Sequence, residues 1–120
     1  MRFESIHWKA YFRINSENKI DSMIKKLEKL IEKPIKVINS QKYWKDNSLF
    51  EVYFTTSLEL EDVEKAIFEV LKTYKLIGYD CHIIGSNCYE GERWSLEGIC
   101  SRTSLSGLEW ISFSIQNYSN

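Results

Sequence analysis

The order of two hydrophobic rhythms constrains this chain more than any single motif. Between Ile6 and Ile14 apolar residues recur every second position: Ile6, Trp8, Ala10, Phe12 and Ile14 alternate with His7, Lys9, Tyr11 and Arg13. That period is the mark of a strand with one face on a core and one face in water. From Ile20 the spacing changes to that of a helix, with Ile20, Met23, Ile24, Leu27, Leu30 and Ile31 on one side and alternating Lys and Glu on the other. Strand-like runs follow over Ile35–Tyr43 and over Phe50–Thr55, separated by the turn residues Lys45-Asp46-Asn47-Ser48. A second helical stripe joins Val63, Ile67, Val70, Leu71 and Tyr74, and strand signals resume over Tyr79–Cys88, Trp94–Cys100 and Ile111–Ile115.

Read in order, the elements are strand, helix, strand, strand, helix, strand, then two more strands. The fold class this predicts is α+β: two helices on one face of an antiparallel sheet, in the ferredoxin-like βαββαβ order with an additional C-terminal hairpin. No repeat, linker or low-complexity segment interrupts the pattern, so residues 1–120 read as a single domain. The terminators follow from local chemistry. Asn15 or Ser16 suits the start of the first helix, and Pro34, the only proline, stops it. Thr56 with Glu59 resembles a capping box for the second, and Gly78 suits a left-handed terminator.

Charge and composition remove several functional classes. Sixteen basic and seventeen acidic residues leave a net charge of -1, so nothing draws the whole chain toward nucleic acid or anionic lipid. No apolar run reaches the length of a membrane span, and the charged start does not read as a signal peptide; the expectation is a cytoplasmic protein without membrane attachment. Cys81, Cys88 and Cys100 have no paired spacing and read as reduced, buried thiols. They form no convincing zinc set with His82, because neighbours on a strand point to opposite faces. His7 and His82 have no nucleophile or carboxylate at relay spacing, and no glycine-rich loop opens either helix. The chain therefore reads as non-enzymatic, with no cofactor and no metal.

What remains is an aromatic surplus. Phe12, Phe50, Phe54, Phe113 and Trp8 belong to the core by period, whereas Tyr43, Trp44, Tyr89 and Trp110 do not. Aromatics outside a core are the usual anchors of protein interfaces. With the nearby carboxylates Asp46, Glu90 and Glu92 as steering charges, they form the candidate partner-binding set. A second set lies on the wet strand face: Lys9, Tyr11, Arg13 and Tyr53 could stack and neutralise single-stranded RNA. That reading is the weaker one, since Glu51 shares the face and the segment Leu49–Phe54 lacks the family's basic-glycine-aromatic start.

A small α+β domain with these surface aromatics, an Ile/Lys/Asn-rich composition and the segment Ser106-Gly107-Leu108-Glu109-Trp110-Ile111-Ser112-Phe113 resembles, in overall character, the bacterial toxin-immunity proteins of contact-dependent growth inhibition and related polymorphic toxin systems. The resemblance implies a monomer or homodimer that binds one cognate toxin domain and blocks its active site or substrate groove. Many such toxins are nucleases with basic clefts, which acidic loops would suit.

Overall fold

The computed structural model describes residues 2–89 and 92–118, with side chains described outside 85–91. It contains six strands and two α-helices: β1 (Phe3–Arg13), α1 (Ile20–Ile31), β2 (Lys36–Lys42), β3 (Leu49–Leu60), α2 (Val63–Ile77), β4 (Gly78–Tyr89), β5 (Arg93–Thr103) and β6 (Leu108–Gln116). All pairings are antiparallel, in the order β2-β3-β1-β6-β5-β4. The α+β class and the helices on one side of an antiparallel sheet are as expected, and β1 and β3 are neighbours. The last two strands join the sheet, but not at its edge. They enter it between β1 and β4, so that β6 flanks β1 and β4 becomes the far edge. A β4-β5-β6 meander with short connections delivers this, because it brings Leu108, Ile111, Phe113 and Ile115 of β6 under the helices.

The inner face of the sheet is built as the period-two pattern demands. Ile6, Trp8, Ala10 and Phe12 of β1 are buried beside Phe50, Val52 and Phe54 of β3 and beneath Met23, Ile24, Leu27 and Ile31 of α1. Trp8 stacks on Phe54 with centroids 6.0 Å apart, and Phe113 stacks on Tyr74 of α2 at 5.1 Å. The Trp8 indole N–H donates to Thr56 Oγ1 at 3.0 Å, so the largest core side chain leaves no orphan donor. Lys33 ties the two helices together by donating to Glu69 at 2.8 Å and to Thr73 at 3.2 Å.

α1 ends at Ile31, where its apolar period stops, with Glu32 in the left-handed region (φ 56) ahead of Pro34. Other boundaries differ from the sequence reading at three points. A 3₁₀ turn over Glu17–Lys19 precedes α1, and Ser16 makes no side-chain cap. Thr56 and Glu59 lie within β3; the cap of α2 is Asp62, whose carboxylate accepts from Lys65 N–H at 2.9 Å. Gly78 is extended (φ -145) rather than left-handed and starts β4 directly. Its lack of a side chain has another cause: a Cβ there would meet Arg102 O at 2.8 Å and Cys100 Cβ at 2.9 Å. The thiol expectation is corrected for two of the three cysteines, the side chain of Cys88 lying outside the described residues. Cys81 and Cys100 sit opposite each other on β4 and β5 with Cα atoms 4.0 Å apart, and they form a disulfide. Strand register brings the pair together across a separation that no sequence spacing advertised.

Candidate functional site

The helices leave the second face of the sheet uncovered, and its register arranges the wet side chains in rows. One row runs Ile99, Ser112, Lys9, Tyr53, Asn39 from β5 across to β2. The next runs Trp110, Tyr11, Glu51, Gln41. Ser112 and Ser114 are short, so the middle of the face is a shallow depression of about 540 Å³ walled by Trp110, Tyr53, Lys9 and Glu97.

Beside it, on β1, β2 and β3, lies a polar knot that the sequence reading missed. Glu51 is only 5% exposed although it belongs to the wet face. Its carboxylate accepts from Tyr53 Oη at 2.7 Å and Gln41 Nε2 at 3.2 Å, with Lys9 Nζ 4.0 Å away. Burial pushes this carboxyl up, but the tyrosine hydroxyls, the Lys9 charge and Gln41 together hold it below the ordinary carboxylate range. Lys9 lies over the rings of Tyr11 (5.4 Å) and Tyr53 (5.5 Å). The Tyr11 hydroxyl, against the opposing effect of burial, leads the groups that raise the lysine above its usual range. The only sequence signal for this knot was the recurrence of Glu51, Tyr53, Lys9 and Tyr11 at matching parity on two adjacent strands.

Four of the expected interface residues converge at one end of this face. Tyr11 is buried between Tyr43, 4.8 Å away edge-on, and Trp110 at 5.0 Å. Tyr43 in turn meets Trp44 at 6.3 Å, and Trp44 stands 81% exposed at the tip. The β2–β3 turn that carries it is held by its own backbone: Tyr43 N–H donates to Leu49 O at 2.9 Å, Asp46 N–H to Tyr43 O at 3.2 Å and Leu49 N–H to Asp46 O at 3.0 Å. Asp46 Oδ1 also accepts from the Ser48 hydroxyl (2.6 Å) and N–H (3.0 Å). These bonds, with Arg13 3.9 Å away, depress its carboxyl pKa. Arg13 donates to Glu109 at 2.6 Å and to Ser48 at 2.7 Å. The result is a rigid turn presenting one bare indole.

The other expected contacts are not part of this patch. The start of β5 lies at the opposite end of the sheet, roughly 33 Å away by the rise of β1. Glu92 is exposed there, and its carbonyl accepts from Asn117 Nδ2 at 3.2 Å. Tyr89 is the last residue of β4, and its side chain and Glu90 lie outside the described residues. The residues considered for RNA all sit on the open face, but Tyr11 is covered by rings, Tyr53 is half-buried under Lys9, and Arg13 is engaged with carboxylates. His7 and His82 are exposed on β1 and β4. Among the described residues no three His, Cys, Asp or Glu side chains gather as a metal site, and no helix is long and apolar enough to cross a membrane.

No family model, no curated protein and no solved structure matches this chain.

Proposed function

We propose that this chain is a protein-binding module that neutralises a cognate bacterial toxin domain, with the Trp44 turn as its anchor. The observation that carries the reading is an 81% exposed indole on a turn locked by hydrogen bonds and backed by the rings of Tyr43, Tyr11 and Trp110. A bare tryptophan in water gains nothing for the fold, whereas the same ring on a stiff support loses little entropy when it enters a pocket. The shallow depression on the same sheet face, which Trp110 helps to wall, suits the broad contact of a protein surface better than the enclosure of a small molecule. RNA binding is less favoured, because the aromatic faces it would use on the sheet are already engaged.

The test is co-expression with the C-terminal module of the secreted protein encoded immediately upstream in the host genome. The module alone should arrest growth, and the pair should grow and co-purify. Trp44→Ala should weaken the complex by about 2 kcal/mol, roughly thirtyfold, while moving the stability of the free chain by less than about 0.5 kcal/mol. A gene neighbourhood without such a module, or co-expression that protects nothing, overturns the reading.

A further inference from the structure

Around the Trp44 turn the carboxylates are engaged within the chain, and among the described residues three lysines are not. Asp46 faces its own turn and Arg13, and Glu109 is held by Arg13 at 2.6 Å. These carboxylates are internally satisfied and are poor steering charges. Lys19, Lys42 and Lys45, by contrast, make no ion pair among the described residues. Lys45 Nζ lies 5.1 Å over the Trp44 ring. Next to the turn, Arg13, Lys19, Lys42, Asn15, Asn47 and Ser48 line an open depression of about 650 Å³; Asp46 and Glu109 touch it only through their bonds to Arg13 and Ser48. The Arg13 guanidinium and the Ser48 hydroxyl already serve Glu109 and Asp46, so the donors this depression offers to an incoming anion are the ammonium groups of Lys19 and Lys42 and the side-chain amides of Asn15 and Asn47.

We propose that this depression receives a cluster of carboxylates on the protein that Trp44 anchors. The proposal rests on the toxin-binding reading and deepens it: the partner is acidic where it meets this end of the sheet. At this end the chain does not imitate nucleic-acid phosphate in a basic cleft; it offers the basic surface itself. An acidic protein fits better than a nucleic acid because a strand of bases needs successive free ring faces. Of the rings at this end Tyr11 is buried and Tyr43 half-buried, while Trp44 is open but partly covered by Lys45. Lys19 and Lys42 are exposed at the rim, so their contribution falls on association and is screened by salt.

Two measurements test this. The first is the association rate of the upstream-encoded toxin module with the full chain at low and high ionic strength. Lys19→Glu and Lys42→Glu together should slow association about tenfold at low salt and leave dissociation nearly unchanged. Unchanged or faster association in the double variant overturns the acidic partner, while capture itself still upholds the toxin reading. If no module is captured, the toxin reading falls and the second measurement decides the depression. It is an amide-shift titration of the chain with hexaglutamate and with hexauridylate. Saturable shifts at Lys19, Lys42, Asn47 and Ser48 with hexaglutamate, lost in the double variant, support an acidic-peptide site. No such shifts, or stronger ones with hexauridylate, overturn it.

Discussion

Adding one methyl group at position 98 tests whether the far half of the sheet is packed as tightly as described. Gly98 lies on β5 with its missing side chain aimed at β6, and a Cβ there would stand 2.5 Å from Phe113 Cζ, 2.6 Å from Cε1 and 3.1 Å from Ile83 Cδ1. Carbon atoms pack at about 3.5–4.0 Å, so the Phe113 ring must retreat by roughly 1 Å. It has little room, being stacked on Tyr74 at 5.1 Å and leaning on Trp8 at 5.8 Å, all within the buried core. Overpacking of this kind costs about 1–3 kcal/mol. Replacing glycine within a strand returns about 0.5–1 kcal/mol of backbone entropy. Gly98→Ala should therefore destabilise the fold by about 1–2 kcal/mol and lower Tm by roughly 3–10 °C for a domain of this size. Urea titration and calorimetry measure it. A double-mutant cycle identifies the cause: in a Phe113→Leu background the alanine should cost at least about 1 kcal/mol less. If Gly98→Ala is neutral, or costs the same with and without the Phe113 ring, the claimed contact is not what holds β5 to β6.

Three further changes probe other parts of the molecule. Thr56→Val keeps the shape but strands the buried Trp8 N–H, and should lose about 1–3 kcal/mol of stability in urea unfolding; pairing it with Trp8→Phe should cost less than the sum of the two single changes. Cys81→Ser with Cys100→Ser opens a link between residues 19 apart in sequence and should remove roughly 3 kcal/mol, seen as a lower denaturation midpoint that reductant no longer shifts; equal midpoints for the oxidised parent and the variant would refute a stabilising bond. Glu51 has a folded-state pKa below its unfolded value near 4.3. Its contribution is therefore present above that pH and lost as the pH falls through the acid range. Glu51→Gln should lower stability at neutral pH and flatten its fall between about pH 5 and pH 3, and an unchanged slope would show that the carboxylate is not held charged by its neighbours.

Trp8, Phe12, Phe50, Phe54 and Phe113 could be assigned to the core from period alone because a pleated strand leaves no freedom about which side a residue takes. The same rule placed Tyr11, Tyr53, Lys9 and Trp110 on the wet face. It could not place Glu51 in a buried knot, since parity says which face a side chain leaves from and not which neighbours close over it. Nor could it pair Arg13 with Glu109: they are 96 residues apart, and only the β1–β6 pairing makes them partners beside Asp46.

By itself the sequence determined the local elements, since 2.0 and 3.6 residue periods are read directly from the chain and two amphipathic helices need an apolar sheet to lie on. Strand order, the disulfide and the gathering of Tyr43 and Trp110 around Tyr11, with Trp44 against Tyr43, were decided only in three dimensions. Each depends on which strands become neighbours, and that is settled by the joint burial of β1, β3 and β6 under the helices rather than by any pattern within one segment.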